Sequence, residues 1–197
     1  MSVNQMEISA NQVSFSTNRL LGLLCLIGAP MLLIQFILNP GGETQLTTSG
    51  RIIAFLGVLY MGGWLAGAIG MRKLRVTGNG TGSKIVFIIQ AIGLSLATIF
   101  SVLDTLGFNY ENGGLIFLIT DLAYPFSHLF MIVVGIMTFR AGVWKGLSRI
   151  APLLVGIAFP LTVALASLVG MPIGVLLFGS LTTIGLSVIG YTIIKQS

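Results

Sequence analysis

Four residues with chemistry to offer, Asp121, Tyr124, Pro125 and His128, stand inside one apolar run, residues 115–139. At about 100° per residue they share one face of a helix, together with Gly135. At about 1.5 Å of rise per residue, His128 lies about 10 Å deeper along that face than Asp121. Ionisable groups within a bilayer are costly, so they face a protein interior or a water-filled cavity and mark a site. A carboxylate there can hold a cation or carry a proton. An imidazole can change its charge near neutral pH and act as a switch if water reaches it. Pro125 removes a backbone hydrogen bond, which predicts a kink between the two groups.

The run before it, residues 85–103, offers a matching face. Gln90, Gly93, Ala97, Ser101 and Asp104 fall within a narrow arc at helical pitch. Packed as a hairpin, the two runs bring Ser101 and Thr98 toward the depth of Asp121. Gln35 and Tyr60 of the first two runs can reach the same half. Arg51 can serve as counter-ion to Asp104 or Asp121. The candidate interior polar site is therefore Asp121, Tyr124, His128, Gln90, Ser101 and Asp104. The competing explanation is that these residues only hold helices together, at about 0.6 kcal/mol per interhelical bond.

Several chemistries are set aside. A single histidine builds no multi-His metal site, and Cys25 has no second cysteine to pair with, so no metal and no cofactor are expected. Cys25 reads as a packed small hydrophobe. Ser127 and His128 are adjacent and point about 100° apart on a helix, which excludes a dyad. No lysine lies mid-run to form a Schiff base. The glycine-rich stretch 78–82 follows no strand, so it reads as a flexible loop and not a phosphate cradle. No catalytic residue is assigned.

The elements that must position the candidate residues are legible from composition. The chain has 197 residues, of which 55% are hydrophobic and 8% charged. A soluble protein carries about 25% charged residues. Six apolar runs, 20–38, 52–71, 85–103, 115–139, 150–169 and 173–194, each approach the roughly 20 residues a helix needs to cross a bilayer. Backbone groups find no water in lipid, so helices are expected, and the alternation of a membrane β-barrel is absent. The fold expected is an all-α integral membrane protein: a six-transmembrane-helix bundle spanning residues 19–197, preceded by a polar tail, residues 1–18. That tail has no basic start and no cleavage site follows it, so the first run reads as a retained span.

Charge orients the bundle. Arg19, Arg72, Lys73, Arg75, Lys84, Arg140, Lys145, Arg149 and Lys195 fall on one side of six spans. Glu43, Asp104 and Glu111 fall on the other, with Arg51. The positive-inside rule then puts both termini in the cytoplasm, in a plasma membrane, the inner one for a bacterial source. It also leaves the sequon at Asn79 unglycosylated. The net charge of +5 is a topology signal, and no nucleic-acid partner is expected. Gly63 and Gly67 form a GxxxG packing surface, and Ser180, Thr183, Ser187 and Gly190 form a second small face. Trp144 reads as an interfacial anchor and Trp64 as packed within a span. Equal spacing of Arg19, Lys84 and Arg149, and matched intervals from Arg19 to Pro30 and Arg149 to Pro160, hint at three related hairpins.

The leading expectation is a channel, transporter or binding protein for a small solute or ion, with its site on the third and fourth spans. The alternative is a non-catalytic structural or accessory membrane subunit. A membrane-embedded lipid enzyme comes third. The expected partners are the lipid bilayer and a small solute or ion; protein partners are not readable. A wet cavity reaching Asp121 and His128 favours the first expectation, a dry closed core the second.

Overall fold

The computed structural model describes residues 17–39, 48–108 and 110–197. Most of the polar tail, and Glu43 with its loop, lie outside the described residues. Six helices among those described are long and apolar enough to cross a membrane, with mean hydropathy from 1.7 to 2.4. They are α1 (Thr17–Leu38), α2 (Thr48–Lys73), α3 (Thr81–Leu106), α4 (Tyr110–Ala141), α5 (Leu147–Val169) and α6 (Met171–Lys195). No strand occurs among the described residues. Each helix contains one of the six apolar runs and overshoots it by a few residues at most ends. Polar and glycine residues flanking an apolar run can continue a helix whose interior lipid has already fixed. The composition of these helices points to an integral membrane protein.

Successive helices pack side by side, and α6 returns to α1, closing a ring; α2 also reaches α6. Both ends of the chain's described part therefore meet. A methyl on Gly22 of α1 would lie 2.8 Å from the Gly190 carbonyl oxygen of α6. The end that carries Arg72, Lys84, Arg149 and Lys195 is called the basic end below, and the one that carries Asn39, Gly50 and Asp104 the acidic end. Between α1 and α2 the backbones touch. A methyl on Gly63 would lie 2.7 Å from the Gly28 Cα, so only hydrogen fits on either side. Gly67 faces the Cys25 Sγ one turn further on.

Three prolines do not all behave alike. α1 is interrupted at Ala29 and Pro30, and the Ala29 carbonyl accepts a 3.0 Å hydrogen bond from the Thr183 hydroxyl of α6. α5 runs unbroken through Pro160, although Pro160 matches Pro30 in spacing from its arginine. α4 runs unbroken through Pro125; its one non-helical residue is Gly114, with φ 52°. The break expected at Pro125 is thus at the mouth of the span, where the apolar run begins. Gly114 and Gly170 (φ 87°, between α5 and α6) hold left-handed backbone that an L side chain resists.

The glycine-rich stretch 78–82 after α2, expected to be flexible, is pinned at both of its ends. Val76 is fully buried and the Thr77 and Ser83 hydroxyls bond to each other. Trp144 departs from its expected role. It is fully buried, and its indole N–H donates to Gln196 Oε1 at 2.8 Å, tying the α4–α5 connection to the end of α6. A lipid-facing anchor and a buried clamp share one sequence signal, a tryptophan near a span end. The deciding fact is that Gln196, just past the end of α6, lies against it. Arg149 likewise has a local task. Its Nε donates to the Phe139 carbonyl at 2.8 Å and its guanidinium lies 4.0 Å from the Phe139 ring centroid, closing the C-terminal end of α4.

Candidate functional site

At the acidic end the first four helices enclose a cavity of about 210 Å³. Its polar wall is Gln35 of α1, Tyr60 of α2, Ser101 and Asp104 of α3, and Asp121 and Tyr124 of α4. A second hollow of about 180 Å³ shares Gln35 and Asp104 with it and continues to Asn39 and Gly50 at the end of the bundle. The polar residues converge because each helix offers them at helical spacing. On α2, Ala54, Gly57 and Tyr60 follow one another at three-residue intervals along one face. Gly57 makes the room: a methyl there would lie 3.4 Å from Gln35 Oε1 and 3.5 Å from Ser101 Oγ.

The polar atoms of this wall are chiefly acceptors. The Ser101 hydroxyl donates to the Ala97 carbonyl of its own helix at 3.2 Å, so its lone pairs are what remain for a guest. The carboxylates of Asp104 and Asp121 accept only, when ionised. No Lys or Arg lines the cavity among the described residues. Arg51 is exposed at the start of α2 and is not part of the wall.

Directly beneath lies a closely packed aromatic layer. His128 is fully buried. Its ring centroid is 4.4 Å from that of Trp64, 4.8 Å from Phe178 and 5.1 Å from Tyr124, and Phe159 stacks at 6.1 Å. His128 Nδ1 lies 3.2 Å from the Val155 carbonyl, which can only accept, so Nδ1 carries hydrogen. In the neutral ring Nε2 then accepts from the Tyr60 hydroxyl at 3.3 Å. His128 is thus fixed by α2 and α5 and does not line the cavity.

The six candidate residues therefore occupy different environments. Asp121, Tyr124, Ser101 and Asp104 share the cavity. Gln90 is fully buried further toward the basic end, where its amide donates to the Ser127 carbonyl of α4 at 3.3 Å. His128 sits between, in the aromatic layer. Gln35 and Tyr60 reach the cavity, as their positions along the spans predict. Gly57 and Phe100 line it too and were not singled out. The signal for Gly57 was its spacing from Tyr60; for Phe100 there was none, since an apolar residue in a span is uninformative. The Trp64–Phe159–Phe178 surround of His128 joins three helices and has no local signature. Among the described residues no group of three or more His, Cys, Asp or Glu gathers as a metal site would.

Comparison with protein-family models, with curated proteins and with solved structures finds no match to this chain.

Proposed function

We propose that this protein binds a small cation, or a small solute carrying positive charge, in the cavity between α1, α2, α3 and α4. The observation that carries the reading is the wall itself: two carboxylates, a serine whose proton is committed elsewhere and a glutamine, with no cationic side chain among the described lining. Such an acceptor-rich wall favours a guest that brings charge and donors. The volume supports a small guest. Pockets for drug-sized ligands run from about 300 Å³ upward, so about 210 Å³ suits an ion with some water or a short alkylammonium.

The positive-inside rule supports an orientation with both termini in the cytoplasm and the cavity opening on the opposite side. Tyr60 and Tyr124 form its floor, and the packed aromatic layer below supports a one-sided site, as in a receptor or one state of a transporter. The second reading, an accessory subunit held together by interior polar contacts, draws support from His128, both of whose nitrogens are already bonded.

The test is thermal stabilisation of the full chain in a zwitterionic detergent by sodium, potassium, calcium and methylammonium, each at constant ionic strength. One of them is expected to raise the melting temperature, and Asp121→Asn to weaken that effect by about 2 kcal/mol of binding energy. Equal response to every salt, unaltered by Asp121→Asn and Asp104→Asn, would refute the reading.

A further inference from the structure

At the basic end, α2 and α3 frame a separate groove of about 370 Å³. One side is apolar: Ile69 and Phe87 with Ile88, of which Ile69 and Ile88 face outward, 40% and 59% exposed. The other side is cationic: Arg72, Lys73 and Lys84. No acid occurs in the sequence between Glu43 and Asp104, so nothing on these two helices neutralises that side before Asp104 at the far end of α3.

Two details set this groove apart from a solvated basic loop. The Arg72 Nη1 atom is buried and has no hydrogen-bond partner among the described residues. A positive-inside signal needs only charge; it does not require a guanidinium packed half-buried into the wall of an apolar groove, with one nitrogen occluded by protein. The connection between the helices is also pre-shaped. Arg75 holds left-handed backbone (φ 54°), its N–H donates to the Arg72 carbonyl at 3.1 Å, and Val76 is fully buried beneath it. α3 then begins with Gly80 at its cap, no side-chain capping bond and no acid in its first turn, so its free N–H groups and positive dipole end add to the same field.

We propose that this groove is a binding site for an anionic glycerophospholipid from the leaflet at the basic end. Its phosphate pairs with Arg72, Lys73 and Lys84, and an acyl chain lies along Ile69, Phe87 and Ile88. The adjoining apolar and cationic walls match an amphiphile, and the outward-facing isoleucines give it access from the lipid side. A free phosphate would satisfy the cations and leave the apolar wall without a partner.

The full chain in neutral detergent is titrated with phosphatidylglycerol, with phosphatidylcholine of the same acyl chains and with inorganic phosphate, reading bound lipid by native mass spectrometry and stability by thermal melting. Phosphatidylglycerol is expected to bind and stabilise, and the other two not. The Arg72→Gln, Lys84→Gln double variant should weaken binding roughly ten- to thirtyfold, from about 1 kcal/mol per basic residue. Arg140→Gln with Lys145→Gln removes the same charge from exposed positions at the same end and should leave binding intact. Equal loss in the two pairs, or equal stabilisation by phosphatidylcholine or phosphate, overturns the assignment. If Arg72→Gln does not fold, Lys84→Gln alone and amine labelling of the unmodified chain decide. Phosphatidylglycerol should slow labelling of Lys73 and Lys84 but not of Lys145, and unchanged labelling at all three sinks the idea.

Discussion

The Tyr60 hydroxyl lies 3.3 Å from His128 Nε2, and that contact is the boundary between the cavity and the packed interior. Tyr60 lines the cavity on one side and closes the aromatic layer on the other. Because Val155 fixes the hydrogen on Nδ1, the tyrosine is the donor in this bond. Tyr60→Phe keeps the ring and strands a buried acceptor. It should destabilise the protein by about 1–3 kcal/mol. Chemical or thermal denaturation in detergent checks this; a variant as stable as the parent would mean that the bond is not formed in the membrane protein in solution.

His128 was the natural candidate for a pH switch as long as one cavity joined it to Asp121. The cavity stops at Tyr60 and Tyr124, and the imidazole contributes no atom to its wall. Cation binding should therefore keep the same pH profile in His128→Gln as in the parent, even where the substitution lowers stability. A titration of ligand-induced stabilisation in both proteins decides; a flattened profile in the variant would restore the switch.

The α1–α2 crossing makes two distinct packing predictions. At Gly63 the obstacle is the backbone of Gly28, which cannot move alone. Gly63→Ala should cost at least the usual overpacking penalty of about 1–3 kcal/mol. At Gly67 the obstacle is the Cys25 sulfur, 2.7 Å from an added methyl. Gly67→Ala should be destabilising alone and substantially rescued by Cys25→Ala, while Gly63→Ala should not be. A double-mutant cycle on melting temperature measures the difference, and equal behaviour of the two glycines would contradict the packing.

Trp144 should behave as a buried clamp. Its fluorescence should resist quenching by aqueous iodide and by lipid-headgroup quenchers alike. Trp144→Phe should cost about 1 kcal/mol through loss of the bond to Gln196. Quenching from the headgroup region would return it to the role of interfacial anchor.

Orientation can be read directly by labelling. Cysteines placed at Gly80 or Lys145 should be shielded from an impermeant reagent added to intact cells, and one at Asn112 should react. The native Cys25 is buried and should stay silent. Reaction at Gly80 from outside would invert the bundle and, with it, the side on which the cavity opens.

What the sequence determined follows from the solvent it is built for. Lipid offers no partner to backbone groups, so long apolar runs are driven to be helical, and where α1 breaks at Ala29 and Pro30 the Ala29 carbonyl is met by the Thr183 hydroxyl instead. That requirement is local, and it makes six spans and most of their limits readable from residue types alone. Helical pitch is local too, which is why Gln90, Gly93, Ala97 and Ser101 fall together on a buried face of α3. Tertiary structure decided which of those residues share surroundings. Asp121 and His128 lie on one helix face, yet the first meets a cavity and the second meets Trp64, Phe159 and Phe178. The burial of Trp144 and of one Arg72 nitrogen was equally out of reach. The first depends on Gln196, far along the chain, brought to Trp144 by the packing of α6 against α5 and α1. Position along a helix follows from counting residues; the neighbours at that position follow from the packing of the other helices.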